Sequence, residues 1–186
     1  MKILAIADRP PLRSIKEIVS ESNVDLICTL GDLELLQIKE LADITHIPKL
    51  GVYGNHCSGR YFEDLGILNL HLKTFEYNGF KFGGFEGSHR YKESSDAKMY
   101  TQEEATHLLQ NFPYVDVMIS HSPPFGINDE SQSLSHQGFI ALRDYIKKQQ
   151  PKYFLHGHTY PSEENVVTKF ENTNIIYVYA DKVIEI

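Results

Sequence analysis

Short apolar, β-rich runs recur along this chain, and each gives way at its C-terminal end to a carboxylate, an amide or an imidazole. Residues 3–7 lead to Asp8, residues 26–30 to Gly31-Asp32, and residues 47–53 to Gly54-Asn55-His56. Further on, residues 115–120 lead to His121 and residues 153–155 to His156-Gly157-His158. Runs this short fit strands covered on both faces, as in a largely parallel sheet. The loops that follow parallel strands gather at one edge of an open α/β sheet, which is where such sheets bind ligands. Two carboxylates, an amide and several imidazoles are therefore expected at one rim. Hard oxygen donors mixed with imidazole suit Mn, Fe or Zn.

Between the runs the periodicity changes to that of helices. Leu12, Ile15, Ile18 and Val19 predict an amphipathic helix over 12–20 between strands at 2–7 and 24–29. Leu35, Ile38, Leu41 and Ala42 predict another over 34–42, before the strand at 47–53. Such alternation implies parallel strands with right-handed crossovers. After Gly66 short strands are expected at 67–72, 74–77 and 80–85, the last two joined by the hairpin signal Asn78-Gly79. Residues 87–99 read as a loop, and Thr101 with Glu104 forms a capping box opening a helix to about residue 111. A strand at 115–120, a long polar loop at 122–135, a helix over 137–148 and a strand at 153–156 follow. Segments 166–170, 175–179 and 183–186 suggest an antiparallel meander. The class is α/β, with two sheets flanked by helices.

The length of 186 residues suits one domain, 1–186. No apolar run approaches the ~20 residues that span a bilayer, and the N-terminus enters a strand without a signal-like segment, so a cytoplasmic location is expected. Cys28 falls in a buried strand and Cys57 beside the polar rim, which is no disulfide framework. Cys57 reads as a small filler, with a reactive thiol as the lesser alternative. With 18 basic and 25 acidic residues the formal charge is -7, which opposes sequence-independent binding of a nucleic-acid polymer and favours a small phosphorylated partner.

The order Asp8, Gly31-Asp32, Gly54-Asn55-His56, His121, Gly157-His158 resembles that of the calcineurin-like metallophosphoesterases, over nearly the whole chain. The resemblance implies a four-layer αββα sandwich of two mixed β-sheets, and hydrolysis of a small phosphodiester or phosphomonoester with one or two divalent ions, Mn, Fe or Zn. It implies that Asp32 bridges two metals, that Asn55, His121 and His158 complete one site, that Asp8 belongs to the other, and that His56 is the catalytic acid. The sequence also departs from the pattern. The family carries imidazoles where Pro10 and Tyr160 stand, and an acidic residue where Cys57 stands. Proline offers no side-chain donor and a tyrosine ligates well only as phenolate, so the first site is degenerate unless Tyr160 serves as a phenolate. The loop from Pro124 through Asp129 to His136-Gln137-Gly138 is similar to the substrate-side loop of a metallophosphodiesterase-like subgroup.

Each residue also has a plainer reading. Asp32 and Asp8 suit helix N-caps, Asn55 a tight turn, and His121 and His158 buried histidines satisfied by carbonyls. His156 is expected to support its neighbours rather than ligate. His46, His71 and His107 lack motif context. His89, Arg90 and His136 are candidates to meet substrate phosphate, although exposed charged loops need no such role. The rival function is a catalytically inactive binding or scaffolding protein on the same fold. No membrane partner is expected, and a homo-oligomer is compatible with all of this.

Overall fold

The structure is a computed structural model describing residues 1–94 and 98–186. Its first sheet holds β1 (Lys2–Ala7), β2 (Leu26–Thr29), β3 (Lys49–Gly51) and β4 (Ile67–Asn69), all parallel, with β13 (Ala180–Glu185) antiparallel against β1. Its second sheet holds β6 (Phe80–Phe85), β9 (Val117–Ser120), β10 (Tyr153–His156) and β12 (Thr173–Tyr177) in parallel. There, β5 (Thr74–Tyr77) and β11 (Lys169–Phe170) are the antiparallel edges. Two short strands, β7 (Ser88–His89) and β8 (Met99–Tyr100), pair separately, inside the stretch expected to be loop.

Strand alternation sorts the apolar side chains into layers. Ile3, Ala5 and Ala7 of β1, Leu26 and Cys28 of β2, Phe82 of β6, Val117 and Ile119 of β9 and Leu155 of β10 fill the space between the two sheets. Leu4, Ile6 and Ile27 point the other way, onto Ile15, Ile18 and Val19 of α1 (Ile15–Ser22). Phe85, Met118 and Phe154 pack under α2 (Gln102–Leu109) and α3 (Ile140–Gln149). The result is the expected αββα sandwich. Each fully buried Leu, Ile or Phe contributes roughly 1.5–3 kcal/mol.

Local chemistry explains where element bounds differ from expectation. The first helix begins at Ile15, not residue 12, because Pro10 and Pro11 hold the chain extended. Leu12 is left fully exposed. The helix expected over 34–42 is two 3₁₀ turns, Leu35–Gln37 and Lys39–Asp43, broken at Ile38 (φ -119, ψ 19). Apolar spacing alone does not separate these geometries, and buried Lys49 favours the break by donating its ammonium hydrogens to the carbonyls of Leu41 and Ile44. The hairpin turn at Asn78 (φ 49) and Gly79 (φ 78) and the Thr101–Glu104 capping box are as the sequence implies. The tail is not a meander. β11 and β12 pair, but Val178 lies in the inter-sheet core and the chain crosses there to place β13 against β1. Among the described residues no helix is long and apolar enough to cross a membrane.

The long loop at 122–135 is held by its own side chains. Asp129 accepts hydrogen bonds from the Gly126 and Gly138 amides (3.0 and 2.9 Å) and the Ser131 hydroxyl (2.8 Å). With Gly138 committed to Asp129 and Phe139 bonded to Pro123, the third helix starts at Ile140 rather than at 137.

Candidate metal centre

The parallel strands of both sheets end on the same rim. Asp8, Asp32 and Asn55 arrive from β1, β2 and β3, and His121 and His158 from β9 and β10. One donor atom each from Asp32, His121 and His158 lie within 4.8 Å of one another, a spacing one ion can bridge. The Asn55 amide oxygen is 3.0 Å, and Asp32 Oδ2 3.4 Å, from His121 Nε2. The mixed oxygen and imidazole set fits a divalent transition metal.

Backbone carbonyls orient both imidazoles, as the outer hydrogen bonds of metal-binding histidines commonly do. His121 Nδ1 donates to the Leu30 carbonyl at 2.8 Å, across the gap between the sheets, so Nε2 faces Asn55 and Asp32. His158 Nε2 donates to the Ser135 carbonyl at 2.8 Å, which leaves Nδ1 with its lone pair. Without an ion, His121 acts as the local cation. Burial alone would lower its pKa, but the charge of Asp32, the hydrogen bond to it, and Asp8 raise it to about 9. Burial likewise opposes ionisation of Asp32, yet His121 and the His56 amide hold that carboxyl below the usual range. His158 is pushed down to about 3 by burial and then by the His121 charge, so it stays neutral and able to ligate.

Three of these residues occupy backbone conformations that favour glycine: Asp8 (φ 63), Asp32 (φ 53) and His158 (φ 71). Such strain costs on the order of 1–3 kcal/mol per residue and persists where surrounding structure demands it. A glycine would relieve it, yet each position carries a side chain that faces the rim. Glycines appear instead at the neighbouring positions, for close approach. A Cβ on Gly54 would lie 2.1 Å from Asp32 Oδ1, and one on Gly157 would lie 2.6 Å from Asp8 Oδ2.

Asp8 sits differently from Asp32. Both its oxygens accept the His158 amide hydrogen (3.1 and 3.0 Å), and burial raises its pKa to about 6 against the opposing effect of His121. Pro10 supplies no donor beside it. Tyr160 is 58% exposed, and burial of its phenol together with the Asp8 charge raises its pKa, which opposes the phenolate reading. His56 donates its amide to Asp32 Oδ1 (2.8 Å) while its imidazole stands exposed at the rim. Cys57 is buried, its sulfur accepting the Gly54 amide (3.2 Å) and lying 3.4 Å from the Tyr61 hydroxyl. Burial raises the thiol's pKa, which favours the filler reading over the reactive one.

The remaining candidates are placed unevenly. His136 lies edge-on to His158, with ring centroids 5.6 Å apart, and its Nδ1 is 3.1 Å from Glu130. His89 bonds to the Leu134 carbonyl (3.2 Å) at the edge of the same loop. Arg90 grips Glu104 through both carboxylate oxygens (3.1 and 2.8 Å) and donates to the Met99 carbonyl, so its charge is already matched at the start of α2. His156 is fully buried between the Gly157 carbonyl and the Asn128 amide, the supporting role expected of it. Asn128, with its amide group also bonded to both backbone groups of Val167, pins the long loop to the second sheet. Sequence reasoning passed over Asn128 and the Ser135 carbonyl. The one available signal was the length of their loop. A separate groove of about 690 Å³ opens at the N-terminal ends of β2 and β3, near Lys16, Asn23, Asp25 and His46, and contains none of these donors.

No protein-family model matches the chain, and no curated protein matches it in sequence. Solved structures do. TT1561 of Thermus thermophilus superposes with a TM-score of 0.63 at 16% identity, over 95% of this chain and 88% of that one. A hypothetical protein from the same organism gives 0.54 at 15% identity, over 96% and 75%. A novel phosphatase from Mycoplasma pneumoniae gives 0.55 at 14% identity, over 96% and 72%. At these identities the likeness establishes a shared fold, including that of a phosphatase.

Proposed function

We propose that this chain is a metal-dependent phosphoesterase, similar to the calcineurin-like enzymes, acting on a small phosphodiester or phosphomonoester. The observation that carries the reading is the convergence of Asp32, His121 and His158 donors within 4.8 Å, with the Asn55 amide oxygen turned onto the same nitrogen of His121. The phosphatase from Mycoplasma pneumoniae among the structural neighbours adds support. Asp32, Asn55, His121 and His158 would hold the ion, which supplies Lewis acidity toward a phosphoryl oxygen and toward water. The chain's own residues do the rest. Leu30 and Ser135 carbonyls fix which imidazole nitrogens face the centre. His56, anchored through its amide to Asp32, keeps a free imidazole at the rim to protonate the departing oxygen. The charge of -7 argues for a small substrate over a polyanion.

The state of Asp8 favours a second reading, a binding protein that has lost turnover. Its two oxygens share the His158 N–H, and neither Pro10 nor exposed Tyr160 offers an imidazole beside it. Metal content and turnover separate the two. Protein purified without chelator and titrated with Mn is expected to hold one ion tightly and a second weakly, and to hydrolyse bis(p-nitrophenyl) phosphate. His121→Ala should lose the tight ion. Retention of one ion with no hydrolysis under Mn, Fe or Zn would select the binding reading. Absence of any retained or titratable ion would refute the metal centre itself.

A further inference from the structure

The rim beside Asp8 carries a run of aromatic rings that the proposed metal chemistry does not use. From His158 the run passes to His136 (centroids 5.6 Å apart), then Tyr160 (6.1 Å, perpendicular), then Tyr179 (5.6 Å, 82°). The guanidinium of Arg9, the residue following Asp8, stands 5.5 Å from the Tyr179 ring. Tyr160 is 58% exposed and Tyr179 37%. Two adjacent tyrosines gain most by burial, and open aromatic surface next to a polar rim marks a place where a ligand completes the packing. Arg9 strengthens the point. It is exposed, has no carboxylate partner among the described residues, and lies in a strongly acidic chain.

We propose that Tyr160 and Tyr179, flanked by Arg9 and His136, form a subsite for a planar aromatic ring carried by the phosphoester. The proposal rests on the phosphoesterase reading for the phosphate and adds what the phosphate is attached to. Perpendicular tyrosines present one face and one edge, the arrangement in which a third ring gains quadrupole attraction that an alkyl group cannot. Arg9 lies where it can stack on that ring or meet the phosphate charge. An aryl alcohol and a nucleobase both provide such a ring.

Equilibrium binding to Mn-loaded protein tests this without needing turnover. Phenylphosphonate is compared with methylphosphonate, and adenosine 5′-monophosphate with ribose 5-phosphate, so that each pair differs by its ring. The wild type is expected to favour the ring-bearing member by about two- to tenfold, from the usual worth of aromatic pairs. The double variant Tyr160→Ala, Tyr179→Ala should bring the ratio towards one, and Tyr160→Phe with Tyr179→Phe should retain it. A preference in the adenosine pair alone supports a nucleobase, and in the phenyl pair alone an aryl group. Ratios near one in the wild type, or a ratio indifferent to loss of both rings, would overturn the subsite. Ring preference with no hydrolysis of any ester would count against the phosphoesterase alone, while hydrolysis with no ring preference would count against the subsite alone.

Discussion

Replacing Gly54 by alanine adds one methyl group at the point where the Gly-Asn-His loop rests on Asp32. Gly54 does not adopt a left-handed conformation, so alanine meets no backbone strain and its whole effect is steric. The new Cβ would stand 2.1 Å from Asp32 Oδ1 and 2.5 Å from the Asp32 amide nitrogen, where ordinary contact begins at 3.4 Å. The carboxylate oxygen must therefore retreat by about 1.3 Å, the difference of those two distances. Turning the side chain does not relieve the contact with the backbone nitrogen, so the two loops must also part, which breaks the Asp32 bond to the His56 amide and takes Asp32 from its position 3.4 Å from His121 Nε2. Overpacking of this kind costs about 1–3 kcal/mol. Falling on a ligand, that weakens metal binding roughly 10- to 100-fold. Competition against a chromophoric chelator measures the affinity, and urea unfolding measures the stability. Gly79→Ala is the control: its φ of 78 strains an alanine, but nothing lies within 4 Å of the new Cβ, so stability falls and metal affinity does not. Wild-type metal affinity in Gly54→Ala would refute the argument that the glycine exists to seat Asp32.

Two further outcomes follow from single side chains. His156 has its pKa lowered to about 4, first by burial and then by the His121 charge against the opposing Gly157 carbonyl, and its two nitrogens are already matched to Gly157 and Asn128. The folded state thus binds fewer protons than the unfolded one between pH 6.5 and 4. Its contribution is present in full above pH 6.5 and is lost as pH falls towards 4, by about 3 kcal/mol at most. Urea midpoints at pH 7 and 5 should diverge in the wild type and converge partly in His156→Gln. His56→Ala should lower kcat on a phosphodiester with a poor leaving group by about 10²- to 10⁴-fold while metal content is unchanged, because residue 56 bonds Asp32 through its backbone amide. An unchanged rate on such a substrate would remove His56 from the chemistry.

The sandwich and its candidate metal rim were legible because strand ends and donor types coincide along the chain. Apolar runs fix which segments lie between sheets, and parallel pairing then leaves Asp8, Asp32, Asn55, His121 and His158 no other edge to meet on. What the sequence concealed was conformation and crossing. No glycine marks the left-handed backbones of Asp8, Asp32 and His158, since the surrounding structure imposes them against local preference. The 3₁₀ turns share apolar spacing with an α-helix, and Lys49 reaches their carbonyls from a distant strand. A terminal strand carries no mark of which sheet it joins. Contacts made by backbone carbonyls, such as Ser135 on His158, leave no trace in residue type.

On the phosphoesterase reading proposed above, Pro10 and Tyr160 serve recognition of the ring rather than binding of an ion. Pro10 fixes its own backbone and restricts that of Arg9, whose guanidinium lies 5.5 Å from the Tyr179 ring. Tyr160 packs between His136 and Tyr179 while keeping more than half its surface open. Asp8, with a carboxyl pKa near 6 and both oxygens on the His158 amide, is better placed to brace the Gly-His loop than to hold an ion unaided. One half of the rim thus holds four candidate metal donors, and the other half presents aromatic faces and the Arg9 guanidinium. On that reading, a site with one ion and an aromatic flank would suit recognition of the group attached to phosphorus more than speed, because one ion alone does not clamp the attacking and leaving oxygens together.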